Sequence, residues 1–528
     1  MLVVVLLGLI AYSNALLNEF VWDDVSSVQF NKFITNPRYV PAAFKSEFHY
    51  FGRGQGNFYR PFLTLSFMLD YAFWKLNPIG YHLTNVLMHI GVALLIFFLV
   101  KNVIGGHAAP LVTSVLFVAH PIYTQAVTYV SGRGDMLTCL FMLASFLLYW
   151  HISQPPVGKR PVKPNPRQNL YVIGAALFFM AALLSKETAI IYPFLVLAAF
   201  LVFRERRNRQ ARITVVSLFI CLIIYVWLRT TALKFGVAQP VPPFEKRLPL
   251  ALQAFATYIR LLFVPVGLHM ERTIDRVAPV AVVFTLACLI GACVFIVKLR
   301  KARPGLTFAL LWFLIAWIPI SGLYPLNAPI AEHWLYFPSM GFLALLAGGC
   351  DEAMVRWSGR LSVKSARGVF TGIFAVVLLC FIALTIRRNG DWRDNLTLYT
   401  KTLEKAPNSA RVHYNLGVIY DERGENEKAL REFMETLRLD PSNMYVRLDL
   451  AAMFAQMGAL KETVRLYKEA ISLSPNDPEI VEAYVNLGRI YYDSGNRDEA
   501  IRLWQKALQL KPDIQIVRRW LAEAGAGS

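Results

Sequence analysis

Charge is scarce in this sequence. Only 17% of its 528 residues are Asp, Glu, Lys or Arg, and the acidic sign is the scarcer, 35 residues against 54 basic. A soluble domain carries about a quarter charged residues. The deficit, with 56% apolar residues and a mean hydropathy of +0.43, excludes a disordered chain and a single soluble globule. Cysteine is sparse too. Cys139, Cys221, Cys288, Cys293, Cys350 and Cys380 each fall inside an apolar run, which argues against a disulfide framework or a zinc site. A Gly-rich phosphate loop, a nucleophile elbow and metal-spaced His/Cys clusters are also missing.

Long apolar runs are what the sequence does have. A helix needs about 20 mostly apolar residues to cross the bilayer core. Eleven stretches approach this, at about 1–17, 82–100, 110–129, 136–150, 170–185, 188–203, 213–228, 280–297, 306–320, 334–350 and 369–386. The first lacks a basic flank and a clear cleavage site, so it reads as a retained helix rather than a signal peptide.

The basic excess marks an orientation. Short clusters fall in alternate gaps between spans: Lys101; Lys159, Arg160, Lys163 and Arg167; Arg204, Arg206, Arg207, Arg209 and Arg212; Lys298, Arg300, Lys301 and Arg303; and Arg356, Arg360, Lys364 and Arg367. This is the positive-inside pattern with a cytoplasmic N-terminus. Two long loops, about 18–81 and 230–279, then lie outside, and so does everything after the last span. The net +19 is therefore a matter of topology and not of nucleic-acid binding.

After Arg388 the composition changes. Leu416, Gly417, Tyr420, Ala429, Phe433 and Pro441 recur as Leu450, Ala451, Phe454, Thr463, Tyr467 and Pro475, and again as Leu487, Gly488, Tyr491, Ala500, Trp504 and Pro512. This is the tetratricopeptide (TPR) pattern of stacked helix pairs. A half-repeat with Tyr399 and Pro407 precedes it, and a capping helix is expected at about 514–524. The expected organisation is all-α, with a membrane domain at 1–388 and a TPR domain at 389–528.

Ionisable residues beside membrane spans are functional candidates, and here they gather in the outer segments. Asp23 and Asp24 follow the first span; one is placed as a general base on an acceptor hydroxyl, the alternative being a helix cap. Arg60 and His82 follow. His82, Asn85 and His89 share a helical face that reads better as a packed polar stripe than as a metal site. His120 ends the third span. Arg133 is a candidate phosphate ligand with Asp135 to orient it. Lys186 either pairs with Glu187 or faces an anion. Glu332 and His333 open the tenth span. Carboxylates and cations on one side suit transfer from a membrane-borne phosphate donor.

Trp22-Asp23-Asp24, Tyr59-Arg60-Pro61-Phe62 to Gly80-Tyr81-His82-Leu83, His120-Pro121-Ile122, Ser131-Gly132-Arg133, Leu184-Ser185-Lys186-Glu187-Thr188 and Ala331-Glu332-His333-Trp334-Leu335-Tyr336, in this order and followed by TPR repeats, resemble the membrane–TPR (TMTC-like) O-mannosyltransferases and their bacterial relatives. Trp392 with Asp394-Asn395 matches that family's junction. The resemblance implies a GT-C glycosyltransferase fold. It implies a polyprenyl-phosphate monosaccharide as donor and a Ser or Thr hydroxyl of a protein outside the cytoplasm as acceptor. It also implies an acidic base in the first outer loop, hence Asp23, with Asp24 second. Arg133, Lys186 and His333 would then hold the donor phosphate, and Arg60, His82, His120, Asp135, Glu187 and Glu332 would line the site. Some GT-C enzymes use a divalent metal and others do not. Tyr123, Gln125 and His333 stand where animal members resemble His, Glu and Arg, which places the chain nearer bacterial members and a bacterial inner membrane than an endoplasmic reticulum one. The competing readings are a lipid-linked oligosaccharide polymerase or ligase, and a non-enzymatic membrane scaffold or transporter with TPR docking.

Overall fold

The computed structural model describes residues 1–48, 58–106, 108–153, 166–233, 241–274, 276–324, 326, 328–357 and 363–525. Of the basic residues used for orientation, Lys159, Arg160, Lys163 and Arg360, with the side chains of Arg167, Arg356, Lys364 and Arg367, lie outside what is described. The described residues are helical, with a lone β-bridge between Arg272 and Ile330 and no strands. They divide into two compact units, Met1–Leu398 and Tyr399–Ser528.

The first unit is a bundle of apolar helices. Each of the eleven apolar stretches is helical: α1 Leu2–Ala11, α3 Pro78–Val103, α4 Ala108–Ala119, α5 Arg133–Ile152, α6 Pro166–Leu183, α7 Tyr192–Val202, α8 Arg209–Ala232, α10 Pro279–Leu299, α11 Pro304–Trp317, α12 Pro338–Trp357 and α13 Val363–Gly390. Among the described residues, five helices are long and apolar enough to cross a membrane. A sixth is added if the bent pair Ala108–Ala119 and Pro121–Val127 counts as one span. The bend of 50° falls at His120-Pro121, because proline supplies no backbone N–H and disfavours helical geometry in the residue before it. The shorter helices include α1 and α11.

Burial shows which solvent this unit is built for. On α10 only Thr285 is buried, while Val280 is 76% exposed and Val297 69%. The outer face of α13 leaves Val369, Ile373, Val376 and Leu379 bare. A soluble protein rarely exposes such continuous apolar faces. Hydrocarbon accepts them, because helices satisfy their backbone groups internally. The chain is an integral membrane protein.

Two long helices occupy the segments expected to be long outer loops. α2 (Pro61–Trp74) starts on a proline at its first position, where the missing N–H has no partner to lose. α9 (Phe244–Phe263) buries Ala251, Leu252, Ala254, Phe255, Tyr258, Leu261 and Leu262 on one face. Hydropathy averaged over α9 hides it, since Glu245, Lys246, Arg247 and Arg260 dilute the apolar face; its 3.6-residue period is the readable signal.

The junction helix α14 (Asn395–Leu403) begins within the first unit. Trp392 is fully buried there, and Asn395 accepts the Trp22 N–H at 2.8 Å. The lone Asn395-Leu396-Thr397 sequon therefore spends its amide oxygen on the fold.

The second unit stacks helix pairs: α15 Ala410–Glu422 with α16 Asn426–Leu439, α17 Met444–Gln456 with α18 Leu460–Leu473, and α19 Val481–Asp493 with α20 Arg497–Leu510, closed by α21 Gln515–Glu523. The small-residue positions explain the pairing. A Cβ at Gly417 would stand 2.6 Å from the Phe433 ring, and one at Gly488 2.5 Å from the Trp504 indole, so glycine lets each aromatic lie flat on its partner helix. A second repeat feature runs beneath. His413, Arg447, Tyr484 and Arg518 hydrogen-bond the carbonyls of Pro407, Pro441, Pro475 and Pro512 respectively, tying each first helix to the preceding turn. Trp520 packs on Trp504 at 5.4 Å, so α21 closes the last repeat.

Candidate functional site

The first outer segment turns sharply after Val21. Trp22 has a left-handed backbone, φ 51°, which is uncommon for a residue with a side chain. Its surroundings hold it there: its N–H donates to Asn395, and its indole stacks on Tyr129 at 5.9 Å. The turn separates the two carboxylates that follow. Asp23 is exposed and Asp24 is completely buried.

Asp24 accepts hydrogen bonds from the backbone N–H of Val21 (3.2 Å), Val130 (3.4 Å) and Ser131 (2.7 Å), and from the Ser131 hydroxyl (2.6 Å). It is a brace between the first outer segment and the turn before α5, which makes it a poor second choice as base. Burial pushes its carboxyl up to about 7, against the pull of Ser131 and Val21. Asp23 hydrogen-bonds the Tyr129 phenol, and burial plus the two carboxylates raise that phenol well above its ordinary range.

The cations expected to bind phosphate are placed differently from expectation. Arg133 is completely buried and faces inward. It pairs with Asp70 of α2 at 2.5 Å and donates to Asn85 (2.7 Å), Tyr81 O (3.0 Å) and Ser66 O (3.3 Å). A guanidinium so engaged is a structural clamp between α2, α3 and α5, not a phosphate ligand. Its partner is Asp70 rather than Asp135, a carboxylate that sequence reasoning passed over inside an apolar stretch.

Asp135 instead holds Lys186, with Oδ1 at 2.7 Å and Oδ2 at 2.8 Å from Nζ. Lys186 thus does not pair with Glu187. That residue binds Arg60 through two parallel hydrogen bonds of 2.6 and 3.0 Å. Burial holds the His333 imidazole well below its usual value, with Lys186 and Arg60 adding to the effect. The His333 backbone N–H donates to Gln125 at 3.2 Å. Beside the Asp135–Lys186 pair a small groove is lined by Thr188, Ile191, Ile320, Trp334 and Phe337.

Two histidines are internal fasteners. His82 Nε2 lies 3.1 Å from Asn18 O. His120 accepts the Ile122 N–H at 3.2 Å and reaches Leu262 O at 3.1 Å.

Glu332 is fully buried and takes two arginines. Oε1 accepts from the His269 N–H (2.8 Å) and Arg272 (2.9 Å), and Arg388 lies 3.7 Å from Oε2. Neither arginine was a sequence candidate: Arg272 sits inside the long loop at about 230–279, and Arg388 reads as a plain boundary. From Arg388 the contacts run back to the start. Its guanidinium lies over Trp392 (5.6 Å), Trp392 stacks on Tyr129 (5.5 Å), and Tyr129 meets Trp22 and Asp23. So Asp23 and Asp24 join Glu332 through Tyr129, Trp392 and Arg388, while Lys186 and Arg60, paired with Asp135 and Glu187, act electrostatically on His333. Arg133, His82 and His120 stand apart in the bundle interior. Among the described residues no three His, Cys, Asp or Glu side chains are gathered to hold a metal ion.

Comparison with known proteins gives this arrangement a context. Residues 398–431 and 481–514 each match a tetratricopeptide repeat model. The chain is 26% identical to a protein O-mannosyl-transferase of Caenorhabditis elegans (F38B6.6), with 82% of this chain aligned to 61% of that one. It is 26% identical to human TMTC3 over 80% of this chain and 49% of the relative, and 27% identical to human TMTC1 over 80% and 53%. The chain thus spans about half to three fifths of the length of these relatives. Among solved structures, ArnT from Cupriavidus metallidurans bound to undecaprenyl phosphate aligns with 92% of this chain and 90% of its own (15% identity, TM-score 0.42). The Archaeoglobus fulgidus oligosaccharyltransferase aligns with 73% and 55% (13% identity, TM-score 0.43). Over four fifths of its length, the chain is similar to the TMTC protein O-mannosyltransferases.

Proposed function

We propose that this protein is a GT-C membrane glycosyltransferase that moves a sugar from a polyprenyl-phosphate monosaccharide to a Ser or Thr hydroxyl of a protein outside the cytoplasm, with Asp23 as the base. The observation that carries the reading is the division of labour between the adjacent carboxylates: Asp24 is buried in four hydrogen bonds, and Asp23 is exposed beside Tyr129. A braced neighbour and an over-determined turn preorganise an exposed carboxylate, as a general base requires.

The transfer would invert the sugar. Asp23 takes the proton of the acceptor hydroxyl as its oxygen bonds to the sugar C1. The C1–O bond to phosphate breaks, its electron pair stays on the phosphate oxygen, and the lipid phosphate leaves. A phosphate is a good enough leaving group to need no strong acid, so a cationic partner suffices. The TPR unit supplies a surface for the acceptor polypeptide or a partner protein.

The test is direct. Purified full-length chain is incubated with radiolabelled polyprenyl-phosphate mannose and a fraction of extracytoplasmic proteins. Label released from protein by β-elimination supports the reading. If none of the common polyprenyl-phosphate hexoses yields such label, the reading is wrong. Removing 399–528 rather than cutting at 388 preserves Trp392 and Asn395, and acceptor binding collapses in that truncation only if the repeats hold the acceptor.

A further inference from the structure

Among the described residues three Lys or Arg side chains are buried: Arg133, Lys186 and Arg388. Two are each held by at least two hydrogen bonds. Arg133 is bonded by Asp70, Asn85 and two backbone carbonyls, and Lys186 is held by both oxygens of Asp135. Arg388 is not. Only 5% exposed, it donates from Nη1 to Asp391 at 2.9 Å, while Nε and Nη2 have no hydrogen-bond partner. Beside it, Arg272 leaves Nε unpartnered, and so does Oε2 of Glu332. The Arg388–Glu332 separation of 3.7 Å is an ion-pair distance too long for a hydrogen bond.

Buried guanidinium N–H groups are almost always bonded, because leaving them unmade forfeits the hydration they gave up. A cluster that leaves several unmade is shaped for something that completes it. The unmade groups say of which sign: Arg388 Nε and Nη2 and Arg272 Nε are all donors on cations, against one acceptor, Oε2 of Glu332. A planar guanidinium with two adjacent N–H groups to give matches two oxygens of one phosphate.

We infer that Arg388, steadied by Glu332 and with Arg272 beside it, is the seat of the lipid phosphate. This rests on the reading above that the donor is a lipid phosphate, and it assigns the role that Arg133 is too fully bonded to take. Trp392 and Tyr129 form a packed chain of contacts from Arg388 to Asp23. Arg388 then serves the departing group and Glu332 positions it. Glu332 Oε2 stands 3.7 Å from Arg388 Nη2 and leaves that nitrogen and Nε unbonded.

The experiment measures binding of farnesyl phosphate and of farnesol to detergent-solubilised full-length chain, as wild type, Arg388→Gln and Arg388→Lys. Both substitutions remove the paired N–H edge, and lysine retains the charge that pairs with Glu332 and Asp391, so it tests the seat even if the glutamine variant does not fold. The expected result is farnesyl phosphate affinity lowered about tenfold or more in Arg388→Lys and further in Arg388→Gln, the scale of losing a bidentate charge-assisted contact, with farnesol binding unchanged. Wild-type binding of farnesyl phosphate with Arg388→Lys equal to wild type overturns the inference and leaves the donor reading standing. No binding of farnesyl phosphate by the wild type overturns both.

Discussion

The Asp24 carboxyl lies 2.7 Å from the Ser131 backbone nitrogen and 2.6 Å from its hydroxyl. This one contact fastens the first outer segment to the turn that starts α5. Ser131→Ala removes the hydroxyl donor and leaves the backbone one. A hydrogen bond to a buried, partly charged group contributes about 1.5–3 kcal/mol, so the variant is expected to melt several degrees lower and to lose activity together with its stability. An unchanged melting temperature would mean that Asp24 is not a brace.

Asp23→Asn changes an exposed group and removes no structural carboxyl. Transfer is expected to fall about 10²–10⁴-fold, the contribution of a general base, with the melting temperature and farnesyl phosphate binding of the wild type. Activity retained in Asp23→Asn would exclude it as the base.

The burial of Asp24 also gives a pH dependence. Its folded value of about 7 stands above the ordinary carboxylate range. The folded chain keeps a proton that the unfolded chain releases above about pH 4. Stability from this group is fully present below about pH 4 and is lost as pH rises through about 7. The melting temperature of wild type minus that of Asp24→Asn, followed from pH 4 to 8, should therefore decline with rising pH. A flat difference would show that Asp24 titrates alike folded and unfolded.

The membrane unit has its own close approach. A Cβ at Gly341 would stand 2.5 Å from Ala309 O and 2.7 Å from Phe313 N, both backbone atoms that move only if α11 and α12 separate. Gly341→Ala is expected to destabilise by about 1–3 kcal/mol, as overpacking does. In the same helix Gly349 has nothing within 4 Å of its missing Cβ. Gly349→Ala should be neutral or stabilise by up to about 1 kcal/mol through helix propensity. Thermal unfolding in detergent separates the pair, and equal effects would refute the close packing.

Much of this architecture was legible in the sequence because it depends on local chemistry. Apolar runs must be helices in a bilayer, and each of the eleven became one. Gly417, Phe433, Gly488 and Trp504 announced helix pairs through their spacing, since the packing of a repeat lies within some forty residues. The pairing of charges was not legible. Arg133 with Asp70, Lys186 with Asp135, Arg60 with Glu187, and Arg388 with Glu332 join residues from separate segments of the chain, and motif proximity suggested other partners for three of them. Average hydropathy concealed α9, whose 3.6-residue period was the readable signal, and sequence concealed the difference between Asp23 and Asp24, which are chemically the same until a turn at Trp22 buries one and exposes the other.

Composition and periodicity by themselves thus determined an integral membrane bundle followed by TPR helices, because burial of apolar surface and backbone hydrogen bonding act along short stretches of chain. Which carboxylate faces outward, which cations are spent on the fold and which keeps N–H groups to give were decided only by tertiary structure. A buried charge must be neutralised by whatever partner packing brings within about 4 Å, and that partner comes from elsewhere in the chain.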